Sequence, residues 1–173
     1  MLAGTKSVLL GRADELEALL RLALGDLRSA AELASGLPAR RRGLLLARVA
    51  LAASDHHTAV EHLGLSLLGD LTPRTALVRQ VLLAAAAIDR GDEPEAAGIV
   101  GGVLRAARQE GFLNTIVTTA PQVTRYLVEN STHALPDPFL KRIIAAALEV
   151  RAMQPERSGR ILNAPLTDAE LRP

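Results

Sequence analysis

A chain of 173 residues, 49% hydrophobic and 23% charged, can bury a core without metal or cross-links, and with no cysteine it has no disulfide, thiol nucleophile or thiolate ligand. The formal charge of +1 lacks the basic excess of a nucleic-acid binder, and three aromatics (Phe112, Tyr126, Phe139) argue against an aromatic-built pocket or a base-stacking surface. The lack of cysteine fits a cytoplasmic protein, no apolar run approaches the roughly 18 residues of a membrane span, and the opening MLAGTKSVLLGR is too short and mixed for a signal peptide.

Helical periodicity fills the chain, and no run of alternating β-branched residues argues for a sheet. A first helix is predicted over about 12–24 with Leu16, Leu19, Leu20 and Ala23 on one face, and a second over about 27–35 with Ala30, Leu33 and Ala34. Gly36 and Pro38 end that pair; helices follow at about 40–53 and 56–68. Thr72 caps the next, with Pro73 at its tolerated first position, and it runs to about Arg90. A helix over about 94–110 stops at Gly111, and Pro121 divides or kinks the region 112–130. Asp137 and Pro138 open a last full helix to about Met153, and QPERSGRILNAP (154–165) has the composition of a linker.

Three turns share one internal spacing. Gly25-Asp26 precedes Ala30, Ser54-Asp55 precedes Ala59 and Gly91-Asp92 precedes Ala96, five residues from the first turn position to the alanine each time. The anchors lie 29 and 37 residues apart. A helix–turn–helix unit of this size predicts an all-α fold, antiparallel helical hairpins stacked as a tetratricopeptide-like superhelix of about eight helices over 1–153. Successive first helices of such an array line a concave surface suited to a peptide, another domain or a small ligand. Antiparallel bundles produce Gly-Asp turns too, so the spacing carries the argument rather than the dipeptide.

Chemistry-bearing residues are sparse. Asp55, His56, His57, Glu61 and His62 cluster at one turn, and His57 and Glu61 share a helical face, but no HExxH pattern or third ligand makes a metal site, and a polar turn accounts for the group. His133 stands alone. GIVGG (98–102) lacks the lysine of a phosphate loop, so neither a cofactor nor a catalytic constellation is expected. Arg40, Arg41 and Arg42 crowd a predicted helix start, where the dipole disfavours cations; a solvated surface is the default reading, and they could also meet phosphate, an acidic partner or a neighbouring domain's carboxylates. Arg48 and Gln80 interrupt apolar stretches of first helices, where a buried polar group needs a partner.

The chain closes on PLTDAELRP, in which Thr167 and Glu170 form a capping box and Leu166 and Leu171 a hydrophobic staple: a helix entrance at the last residues. A helical array, then AARQEGFLNTIVTTAPQVTRYLVE (106–129) with its glycine at Gly111, then a polar linker, then LTDAEL resembles the large ATP-dependent transcription regulators of the MalT type in the LuxR superfamily. In that family "LTxxExxVL" begins the DNA-binding helix-turn-helix domain, matched here by Leu166, Thr167, Glu170 and Leu171. The resemblance covers about 12–171 and implies a sensor domain for a small-molecule effector or protein over 1–153. It places a linker and the start of the DNA-binding domain at 154–173, with DNA contacted only through that further domain and the ATPase module upstream. Pro173 departs from the pattern, because it falls inside the first turns of the expected helix. A stand-alone repeat scaffold for a protein partner, with or without homo-oligomer formation, is the alternative.

Overall fold

A computed structural model describes the backbone of residues 2–66, 71–130 and 137–153, and the side chains from 12 to 150 within those stretches. Among the described residues the chain forms helices α1 (Leu2–Ala23), α2 (Leu27–Ser35), α3 (Ala39–Ala52), α4 (His56–Leu65), α5 (Pro73–Asp89), α6 (Glu93–Glu110), α7 (Leu113–Thr119), α8 (Pro121–Asn130) and α9 (Pro138–Met153). No helix among them is long and apolar enough to cross a membrane.

The repeated turn is one device used three times. Gly25, Ser54 and Gly91 each take left-handed backbone, with φ of 83°, 60° and 73°. The amide of the following aspartate reaches back five residues: Asp26 N–H to Arg21 O (2.9 Å), Asp55 to Ala50 (2.8 Å) and Asp92 to Ala87 (3.0 Å). That is the Schellman closure of the first helix. The same aspartate caps the second helix, its carboxylate accepting from Ser29 N–H at 3.2 Å, Thr58 N–H at 3.0 Å and Glu95 N–H at 3.1 Å. Hydrogen bonds from the Ser29 hydroxyl and amide hold the Asp26 carboxyl below its ordinary range, and the Thr58 amide and hydroxyl do the same for Asp55. One residue therefore ends one helix and starts the next, which forces an immediate reversal. Ala30, Ala59 and Ala96 then sit in the first turn of the second helix with essentially no exposure, letting the antiparallel partner approach. A related closure ends α6, where Gly111 (φ 69°) is followed by Phe112 N–H to Ala107 O at 3.0 Å.

The hairpins α1/α2, α3/α4 and α5/α6 stack so that α1 packs on α3, α3 on α5, and α5 on both α7 and α8. Each second helix touches the next first helix: α2 on α3, α4 on α5, α6 on α7. This is the tetratricopeptide-like superhelix, with α7 and α8 sharing the place of a fourth first helix and α9 packing back on both. Pro121 explains the division: it stands at the first position of α8, where its missing donor costs nothing, and Ala120 before it is extended (φ −147°, ψ 108°). One core cluster runs from Ala47 to Ile143, and a small separate one joins Ala18, Ala34, Leu37 and Leu45.

Two expectations for α1 are corrected. It begins at Leu2 rather than about residue 12, because Gly4 and Gly11 are tolerated inside the helix. Its inward face runs through Ala18, Leu19 and Leu22, whereas Leu16 and Leu20 are exposed at 68% and 59%. α1 carries leucines on two sides, and only the packing of α2 and α3 decides between them. His133, the linker and the junction residues Leu166, Thr167, Glu170 and Leu171 lie outside the described residues.

α3 approaches α4 closely at Gly43. A Cβ at Gly43 would stand 2.8 Å from the carbonyl oxygen of His62 and 3.2 Å from Ser66 Cβ, whereas one at Gly64 would meet nothing. Gly43→Ala is expected to lower stability by about 1–2 kcal/mol net, overpacking exceeding the gain in helix propensity, while Gly64→Ala raises it by about 0.5–1 kcal/mol; urea denaturation checks both. Ser54 is the non-glycine in the left-handed position, so Ser54→Gly should stabilise by about 1 kcal/mol in the same assay.

Candidate functional site

The cleft of interest lies at the turn end of two hairpins, against the start of α8. Its walls are Leu51 and Ala52 at the end of α3, Ser54 and His56 across the turn into α4, Asp89 at the end of α5, and Pro121, Gln122 and Arg125 of α8. Both α3 and α8 pack on α5, so a cleft lined by both passes over the end of α5. It is open and encloses about 520 Å³.

Side-chain bonds fix its far wall. Gln122 Nε2 donates to Asp89 Oδ2 at 3.2 Å, and one turn on, the Tyr126 hydroxyl donates to Glu93 Oε2 at 3.2 Å. Burial, with the negative charge of Glu93 beside it, pushes the Tyr126 hydroxyl above its ordinary value. These bonds hold α8 against the α5–α6 turn and leave Arg125 on the cleft side with no ion pair among the described residues. On the opposite wall, His56 has its Nδ1 shut off from solvent without a hydrogen-bond partner. A nitrogen that water cannot touch belongs to the wall and not to the surface a ligand meets.

Arg48 lies one turn before Ala52 on α3 but is not among the residues that line the cleft. Burial pushes its guanidinium down from the ordinary value, and Glu15 of α1 pulls the other way. Glu15, however, is already engaged: its Oε2 pairs with Arg41 Nη1 at 3.3 Å. Arg48 itself makes no hydrogen bond or ion pair among the described residues. The trio thus carries one cation more than it has anions, with that cation half-buried.

The other sequence-derived positions separate. Arg41 joins α1 to α3 through Glu15, Arg40 is half-buried and Arg42 is exposed. Gln80 is exposed, and being nine residues from Asp89 it points about 180° away from the cleft side of α5. His57 Nε2 meets Glu61 Oε1 at 3.4 Å on an open helix face, and among the described residues no group of three or more His, Asp or Glu is arranged to hold a metal.

Ser54, Asp89, Gln122 and Arg125 were not legible as site residues. Ser54 and Asp89 border two of the repeated turns, which is the signal that could have raised them. Gln122 and Arg125 carry none. No protein-family model, no curated protein and no solved structure matches the chain.

A half-buried guanidinium whose nearest anion is already paired costs stability. Arg48→Met, similar in length and uncharged, is expected to raise stability by about 1 kcal/mol, whereas Arg42→Met on open surface stays within about 0.5 kcal/mol; thermal melts monitored by circular dichroism distinguish them.

Proposed function

We propose that this chain is a protein-interaction domain, a helical-repeat scaffold that holds a segment of a partner in the cleft at the turn end of its hairpins. The observation that carries this reading is the cleft over the end of α5, to which three repeats contribute. Side chains from separate repeats converge there, Ser54, His56 and Asp89 among them, and among the described residues no side-chain hydrogen bond links those three to one another. A surface assembled from several repeats suits the binding of an extended segment.

A second reading is effector sensing within a LuxR-superfamily regulator. The cleft supports it, because about 520 Å³ with a few convergent polar groups suits a metabolite. Gly111, which the resemblance singles out, closes α6 in left-handed backbone, a position that favours glycine. In that reading the effector changes how the hairpins pack, and the last helix passes the change to a DNA-binding domain.

Selection of peptides from a random display library, followed by anisotropy titration, tests the first reading. Ala52→Trp, which fills the cleft, is expected to weaken selected peptides at least tenfold, and Gln80→Trp on the other side of α5 to leave them unchanged. The reverse pattern, or no peptide binding tighter than about 100 μM, overturns it. A metabolite that raises the melting temperature of the parent and not of Ala52→Trp would establish the second.

A further inference from the structure

We propose that the outer face of α1 pairs with the same face of a second copy of the chain, the two helices running parallel about a two-fold axis. α1 packs on α2 and α3, with Ala18, Leu19 and Leu22 turned toward that contact. Leu16, Leu20 and Leu24, each one turn from the next, are exposed at 68%, 59% and 60%, the highest values among the large apolar side chains described. At about 100° per residue their mean direction lies about 150° round the helix from that of Ala18, Leu19 and Leu22. α1 therefore carries a second apolar stripe that its own fold leaves in water, and a contiguous stripe of this kind marks an interaction surface.

The spacing on that face is that of a two-stranded seam. Ala13, Leu16 and Leu20, all exposed, follow the three-then-four interval of coiled-coil core positions, a, d, a. The flanks of the seam select the occupant. Arg12 stands just before a core position and Glu17 just after one, the g and e sites, and both are exposed. In a parallel pair the g residue of one strand faces the e residue five places further on in the other, so Arg12 of each copy meets Glu17 of its mate, twice by symmetry. The next such pair, Leu19 with Leu24, is apolar in both members. In an antiparallel pair e faces e instead, which sets the two Glu17 side chains against each other at the centre. Glu17 Oε1 accepts from Arg21 Nη2 at 3.3 Å, a solvated pair of little energetic weight, and Oε2 faces the incoming guanidinium. One strip of one helix thus supplies the seam and both halves of its ion pair, which is the signature of self-association. No residue of α1 lines the cleft, so this inference does not rest on the interaction reading.

Sedimentation equilibrium of the full chain over about 5–200 μM is the test, and a monomer–dimer equilibrium is expected. Leu16→Glu and Leu20→Glu, at positions where a polar side chain costs the monomer little, should each weaken the dimer at least tenfold. Leu148→Glu, comparably exposed on α9, should leave it unchanged. Arg12→Glu and Glu17→Arg should each weaken it at least threefold, and the two together should restore it to within twofold of the parent. Melting curves confirm that each variant is folded. The chain has no cysteine, so Ala13→Cys introduces a single thiol. In the parallel pair the two thiols face each other and diamide oxidises them to a disulfide-linked dimer; in an antiparallel pair each faces Ala23, about 15 Å along the helix from its mate, and no cross-link forms. A chain that stays monomeric throughout, a dimer indifferent to both leucine substitutions, a charge exchange that fails to restore association, or a dimer that Ala13→Cys does not cross-link overturns the proposal.

Discussion

Everything in the array leans on one helix. Ala84, Ala85, Ala86 and Ala87 of α5 are all buried, and at 100° per residue four consecutive positions look out over most of the helix circumference. A helix covered on nearly every side must be apolar all round, and to be covered by several helices at once it must also be thin. Alanine meets both demands. It lets α3, α4, α6, α7 and α8 approach one axis, and the residues that end that axis become the floor of the cleft. Larger side chains at these positions would push the neighbouring helices outward and flatten the inner face.

Around that axle the hairpins are set by the doubled role of Asp26, Asp55 and Asp92. Since each closes one helix with its amide and opens the next with its carboxylate, the three residues between the helices of a hairpin leave little freedom for the crossing angle to drift. Two further contacts tie neighbouring elements. Arg79 Nε of α5 donates to Leu63 O at 2.9 Å, meeting the negative end of α4 with a cation. Arg108 of α6 pairs with Asp137, whose other oxygen accepts from Phe139 N–H at the start of α9, and stacks over the Phe139 ring at 5.6 Å.

What could be read from the chain alone was whatever a few adjacent residues decide. The capping aspartates, the alanines five positions after each turn anchor, Thr72 with Pro73 and the break at Pro121 all follow from local chemistry, and they were enough to reach the superhelix. Gly43 gave no sign of its importance, because the His62 carbonyl that excludes a side chain there belongs to another helix. The inward face of α1 was misassigned for a related reason, since Leu16 and Leu20 look as well placed as Leu19 and Leu22 until a neighbour chooses. Arg48 was noticed as a polar interruption, and the packing supplied its meaning by giving Glu15 to Arg41. Arg125 could not be found, because a cleft joined from three repeats has no contiguous signature.

The first hairpin is attached differently from the rest. Ala18, Ala34, Leu37 and Leu45 form a cluster apart from the main core, so α1 and α2 adhere through a patch of their own. In a nearest-neighbour array such an end unit can peel away while the remainder stays folded. Glu15 rides on that unit and Arg48 on the part that stays, so the electrostatic seam at Arg48 coincides with the line along which the array frays. The Glu15–Arg41 pair spans that line, so departure of the first hairpin would leave Arg41 and Arg48 together on α3 with no carboxylate from α1.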